Sequence, residues 1–109
     1  MKKEVIYSPD ALSDVDGIKE KEYISEVLHN PVSAQRMVEM IVREADRLAV
    51  SPEIGPRVSA RFGINTEYRF LVVEKYLVIY LIESETIRII RVFDGRQDYL
   101  RLLFPVSSH

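Results

Sequence analysis

The sequence predicts an α+β protein in which an N-terminal helical hairpin packs on an antiparallel sheet. Apolar residues recur at helical spacing in the first half of the chain and alternate with a period of two in the second half. The two halves are separated by Ser51-Pro52 and Gly55-Pro56, which mark a loop. At 109 residues and 47% hydrophobic composition, the chain is expected to form a single domain over residues 1–109.

The composition excludes several classes of protein. There is no cysteine, so a disulfide framework, a thiolate metal site and a thiol nucleophile are all excluded. The N-terminus carries no apolar region of signal-peptide length. The longest apolar stretch, residues 70–82, is interrupted by Glu74 and Lys75 and is shorter than the roughly eighteen apolar residues of a membrane span. We therefore expect a cytoplasmic protein that does not enter a membrane.

The first strand and the first helix meet at Ser8-Pro9. Val5 and Tyr7 alternate with Glu4 and Ile6, which predicts a short strand that ends at Ser8-Pro9. Ser8 is the expected N-cap, with Pro9 at the first helical position. Gly17 weakens the middle of the helix, so residues 19–22 are expected to bend or to be exposed. The apolar stripe of this helix is formed by Leu12, Val15, Ile18, Ile24, Val27 and Leu28.

Asn30-Pro31 repeats this punctuation and predicts the start of a second helix. The short link favours an antiparallel hairpin of the two helices. Met37, Ile41 and Leu48 are expected to face the sheet. The helical stripe is formed by Val32, Met37, Val38, Ile41, Val42, Ala45 and Leu48.

Three strands are predicted after the loop, over residues 68–73, 76–82 and 86–93. The gaps between them, Glu74-Lys75 and Glu83-Ser84-Glu85, are short enough for hairpins and predict an antiparallel meander. A weaker strand is predicted over residues 57–62, ended by Gly63, and one or two closing helical turns over residues 97–104. Because the strands are apolar on both faces, we expect the hairpin to cover one face and a partner or a dimer interface to cover part of the other.

Arginine is concentrated in the second half. Residues 1–56 carry seven Lys or Arg against eleven Asp or Glu, and residues 57–109 carry eight against six. Arginine suits phosphate or carboxylate recognition, although arginines on a solvated sheet edge explain the skew equally well. The seven C-terminal arginines are Arg57, Arg61, Arg69, Arg88, Arg91, Arg96 and Arg101.

Catalytic motifs of the common kinds are missing from the sequence. It has no phosphate-binding glycine loop, no zinc-ligand spacing and no Ser/His/Asp arrangement, and its only histidines are His29 and His109. No cofactor and no metal are expected. If the chain is an enzyme, Arg, Lys and Tyr must carry the chemistry.

The chain resembles the RelE/ParE superfamily of toxins from type II toxin–antitoxin systems. The resemblance rests on the ordered segments YRFLVV (68–73), YLVIY (76–80) and IIRVFDGRQDY (89–99), with Asn30-Pro31 and Ser51-Pro52 upstream. It implies a helical hairpin on a twisted antiparallel sheet and a cognate antitoxin as partner. RelE-branch members cleave messenger RNA on the ribosome, whereas ParE-branch members poison DNA gyrase.

Position by position, the resemblance gives the RelE-type catalytic roles to Arg69, Arg96 and Tyr99. The arginines would stabilise charge on a phosphate attacked by the ribose 2′-hydroxyl. Leu77 departs from the pattern, because the ribosome-dependent nucleases commonly have arginine there. The candidate substrate-binding residues that could compensate are Arg61, Arg88 and Arg91.

Structural roles compete with these assignments. Arg69 and Arg96 could form salt bridges with Glu67, Asp94 or Asp98, and Tyr99 could pack against the core. Arg91 could be a solvent-facing residue on a strand edge. The leading hypothesis is a toxin that cleaves messenger RNA on the ribosome; the alternatives are a non-enzymatic inhibitor of DNA gyrase and a decayed toxin that still binds its antitoxin.

Overall fold

The computed structural model describes residues 2–29 and 34–95, and of residues 21–29 only the backbone. Two 3₁₀ turns, Arg47–Ala49 and Pro52–Ile54, lie between the second and third helices. The elements are, in chain order, β1 (Glu4–Tyr7), α1 (Pro9–His29), α2 (Ala34–Asp46), α3 (Val58–Phe62), β2 (Arg69–Val73), β3 (Tyr76–Ile82) and β4 (Thr86–Asp94). The α+β class is therefore confirmed.

The sheet has four strands in the order β1-β4-β3-β2. β2, β3 and β4 form the expected antiparallel meander, with turns at residues 74–75 and 83–85. β1 runs parallel to β4, so the sheet as a whole is mixed and not purely antiparallel. This is possible because the helices separate β1 from the meander in sequence, and a long connection lets two neighbouring strands run in the same direction.

Helix α1 begins as the sequence predicts. The backbone N–H of Ala11 donates a hydrogen bond of 3.0 Å to Ser8 Oγ, which confirms the N-cap, and Pro9 is the first helical residue. The helix continues through Gly17 and residues 19–22 to His29. The predicted cap at Asn30-Pro31 lies outside the described residues.

The weak strand predicted over residues 57–62 is wrong. Residues 58–62 form α3, which ends at Gly63 in the left-handed conformation, with the Gly63 N–H bonded to Ser59 O. Val58 and Phe62 are four residues apart, which places them on one helical face, and both pack against the sheet. Only Arg57 keeps a strand-like contact, a single antiparallel bridge to Arg69.

The two faces of the sheet have separate cores. On the helix-covered face, Met37, Ile41 and Leu48 are buried against strand residues, as predicted. The opposite face carries a smaller cluster made of Val58, Phe70, Leu77, Ile79 and Phe93. Each face therefore draws on alternate residues of the same strands. The closing turns predicted for residues 97–104 lie outside the described residues.

Candidate functional site

Arg69, one of the three candidate catalytic residues, opens β2 and lies against the loop that precedes α3. Its Nη1 donates a hydrogen bond of 2.8 Å to Gly55 O and a longer one of 3.5 Å to Glu53 O. Among the side chains of residues 2–20 and 34–95, no carboxylate lies within ion-pair distance of Arg69, so the alternative of a salt bridge with Glu67 or Asp94 is not observed. The Arg69 guanidinium therefore binds backbone carbonyls of the loop.

Tyr80, on β3 opposite Arg69, contacts the same loop. Its hydroxyl donates to Pro52 O at 2.7 Å and accepts from the Gly55 N–H at 3.0 Å. Burial raises the pKa of this hydroxyl above its ordinary value, and Gly55 and Arg69 act against that rise. The phenol therefore stays protonated and keeps both bonds at neutral pH.

Gly55 is required by the close approach of the loop to the sheet. A Cβ at this position would lie 2.3 Å from Phe70 O and 2.7 Å from the Tyr80 hydroxyl, far inside contact distance. We call Arg69, Tyr80 and Gly55 the loop clamp. Because of this clamp, residues 50–57 are fixed to the sheet at several points.

Arg91, a candidate substrate-binding residue on β4, forms an ion pair with Asp14 of α1. The two side chains meet through hydrogen bonds of 2.8 and 2.9 Å, and they are 24% and 15% exposed. The bond to Asp14 raises the pKa of Arg91, and the guanidinium also lies 4.6 Å from the ring centre of Phe93. Arg91 is therefore not a freely solvated edge residue.

Arg88, the second candidate on β4, bonds to the β3–β4 turn. Its Nε lies 3.2 Å from Glu83 Oε2. The pKa of Glu83 is lowered, first by the Thr86 hydroxyl and then by Arg88. The contact is solvent-exposed, so it contributes little stability, but it orients the guanidinium toward the turn.

Arg61, the third candidate, is exposed on α3, with its guanidinium carbon 5.7 Å from the ring centre of Phe62. It lines a groove of about 330 Å³ on the sheet face that α3 packs against, opposite α1 and α2, together with Lys75, Leu77 and Gly95. Leu77 is only 8% exposed and belongs to the smaller core cluster. The position where the ribosome-dependent nucleases commonly carry arginine is thus used for packing.

The four described candidates do not share one site. Arg69 bonds to the loop, Arg91 to α1 and Arg88 to the β3–β4 turn, while Arg61 lies on α3. Arg96 and Tyr99 lie outside the described residues. In the described ranges, no group of three or more His, Asp or Glu side chains could hold a metal ion.

Two sets of partners were missed by the sequence reasoning. The sequence predicts a loop at Ser51-Pro52 and Gly55-Pro56 and a strand over residues 76–82, but it does not predict the bonds between Tyr80 and this loop. For Arg91, the sequence gives no indication that Asp14 is the partner, because the two residues are 77 positions apart. The sequence signal for the clamp is the Gly55-Pro56 pair, because a glycine beside a proline in a loop marks a place where the backbone can approach another element closely.

A sequence model of the ParE toxin family, described as the ParE toxin of the type II toxin–antitoxin system parDE, matches residues 5–99. The chain belongs to this family. The fold is similar to a chain of the chromosomal ParDE toxin–antitoxin system from P. aeruginosa, with a TM-score of 0.65 and 22% identity over 85% of this chain and 96% of that chain. No curated protein sequence matches the chain.

Membership of the ParE family makes the chain a toxin component and implies a cognate antitoxin as its partner. The superfamily expected from the sequence is thus confirmed. Among the described helices, none combines the length and the apolar character needed to cross a membrane.

Proposed function

We propose that this ParE-family toxin acts in the cytoplasm, where it arrests growth by binding and inhibiting DNA gyrase. We also propose that a cognate antitoxin neutralises it. In this proposal, residues 1–109 form one toxin domain. The proposal departs from the leading sequence hypothesis, which was RNA cleavage.

The observation that carries the proposal is the use of the arginines within the fold. Phosphoryl chemistry needs cations gathered around one reacting phosphate. Instead, Arg69 binds loop carbonyls, Arg91 binds a carboxylate of α1, and Leu77 fills the core. A toxin that acts by binding needs a folded surface and no converging catalytic set, so this arrangement favours gyrase inhibition.

A ribosome-dependent nuclease is the second candidate, and one observation favours it. Gly95 lines the groove that Arg61 and Lys75 also line, and Arg96 follows Gly95 directly in the chain. Arg61 would supply a cation to a phosphate site at this groove, and the candidates Arg96 and Tyr99 follow Gly95 in the chain. This site would differ from the site expected from the sequence, because Arg69 bonds to the loop.

A supercoiling assay tests the proposal. It contains the purified chain, wild-type DNA gyrase and relaxed plasmid, and no ribosomes. We expect supercoiling to be inhibited as the chain is added, and induction in cells to lower plasmid supercoiling while translated messages remain whole. An Arg96→Ala variant serves as the matched control, because a nuclease would lose growth arrest with this change. Cuts within translated messages, together with unchanged supercoiling, would establish the nuclease instead.

A further inference from the structure

The loop of residues 50–57 displays apolar side chains to solvent. Val50 is 72% exposed and Ile54 is 44% exposed, and Arg57 at the end of the loop is also exposed. These two apolar residues lie on or beside short 3₁₀ turns and not on a long element. We call residues 50–57 the display loop.

The display loop is held rigidly although its outer side is apolar. The Tyr80 hydroxyl and the Arg69 guanidinium bond to four of its backbone groups, and the close approach at Gly55 admits no side chain. The Lys3 N–H adds a bond of 2.9 Å to Ala49 O, just before the loop. Exposed loops that carry function are positioned by a rigid scaffold, and a surface ordered before binding loses less entropy when its partner arrives.

Two arginines border the display loop: Arg57 ends it, and Arg69 bonds to its backbone. The Arg69 guanidinium donates to backbone carbonyls of the loop, which carry no charge that could neutralise it. The Lys3 ammonium bonds to Glu83 O and Ser84 O at the β3–β4 turn and is not part of this surface. For Arg57 and Arg69, no carboxylate among the side chains that the structure describes lies within ion-pair distance. Glu53 is the acidic residue within the loop itself. A partner with carboxylates would complement this surface.

We propose that the display loop is the surface through which the toxin binds its protein target, and that the target offers an apolar hollow bordered by carboxylates. Val50 and Ile54 enter the hollow, and Arg57 meets the acidic border. The inference rests on the proposed function, because it assigns the binding surface for the gyrase that the toxin inhibits.

The test compares substitutions in the loop with matched substitutions elsewhere. Val50→Asp, Ile54→Asp and Arg57→Glu alter the proposed surface. Leu12→Asp on α1 and Val72→Asp on β2 are the controls, because Leu12 is 54% exposed and Val72 is 65% exposed, both outside the loop. Circular dichroism and thermal unfolding of each purified chain verify the fold.

We expect each loop variant to need at least about tenfold more protein for half-inhibition of gyrase supercoiling, which corresponds to about 1.4 kcal/mol of binding free energy. The controls should match the wild type. Arg57→Glu should also weaken the salt dependence of binding to immobilised gyrase, because it removes an attractive charge. Loop variants as potent as the wild type, or controls that lose as much potency, would overturn the assignment.

Failure of the proposed function gives a different result. If the wild-type chain leaves gyrase unaffected, gyrase is not the target, and growth arrest in cells then decides the role of the loop. Loop variants that lose growth arrest while both controls keep it support the display loop as the surface for another protein target. Loop variants that arrest growth as the wild type does overturn it.

Discussion

The hydroxyls of Tyr80 and Tyr7 provide a matched test of the loop clamp. The Tyr80 hydroxyl makes two hydrogen bonds to the loop, to Pro52 O and from the Gly55 N–H. Tyr80→Phe leaves this N–H and this carbonyl without their partner while the ring keeps its place in the core. An unsatisfied buried polar group costs about 1–3 kcal/mol, so we expect the free energy of unfolding to fall by about 2–3 kcal/mol.

Tyr7→Phe is the control, because the Tyr7 hydroxyl is buried and has no hydrogen-bond partner in the described part of the chain. Its removal leaves no group unpaired, and the apolar ring replaces a polar group that has been taken out of water. We expect this variant to be unchanged or more stable by up to about 1 kcal/mol. The two substitutions delete the same atom, so their difference isolates the bonds of the clamp.

Urea unfolding followed by far-ultraviolet circular dichroism measures both variants. The slope of the unfolding free energy with urea should stay constant, because neither change alters the surface exposed on unfolding. Hydrogen exchange at the Gly55 amide should accelerate in Tyr80→Phe and not in Tyr7→Phe. If the two variants have equal stability, the bonds of Tyr80 do not hold the loop and the clamp is refuted.

Two further predictions concern glycines and high pH. Gly17→Ala should raise stability by about 0.5–1 kcal/mol, because a Cβ meets nothing within 4 Å in this helix, whereas Gly63→Ala should lower it by about 1–2 kcal/mol, because Gly63 has a φ of 71°. Chemical denaturation checks both signs, and a loss in Gly17→Ala contradicts the first. Burial, and then Asp46, raises the pKa of Tyr7 from 10.0 to about 12. The protonated phenol therefore makes its full contribution to the free energy of unfolding below pH 10, and this contribution is lost as the pH rises toward 12. The stability of Tyr7→Phe relative to wild type should therefore grow across this range; parallel curves would show that the phenol titrates normally.

The strands were predictable because their signal is local. Period-two patterning and short turn sequences place β2, β3 and β4 within a residue of their observed bounds. α3 was missed because Val58 and Phe62 fit both an alternating and a helical pattern over so short a segment. The parallel pairing of β1 with β4 joins residues about eighty positions apart, and no local pattern encodes it.

The candidate site was predictable in residue type but not in partners. The arginine skew indicated recognition, yet the Arg91–Asp14 pair joins residues 77 positions apart and forms only when α1 packs beside β4. Arg69 and the loop are closer in sequence, but carbonyl acceptors leave no trace in side-chain patterns. Arginines that stabilise the fold and arginines that bind a ligand therefore look alike in the sequence.

The edge of β4 explains why Arg91 stabilises the fold. β1 pairs with β4 only as far as Ile89, where the β3–β4 register shifts and the last residues of β4 lose their parallel neighbour. Asp14 occupies this gap, because its carboxylate accepts the Val92 N–H at 2.8 Å, and Arg91 neutralises the charge that the carboxylate brings. An unpaired strand edge invites association with other strands, and here a helix side chain closes it. The ion pair thus fixes α1 to the sheet, and the capacity to bind a target must come from surfaces that the fold leaves exposed, of which the display loop is one.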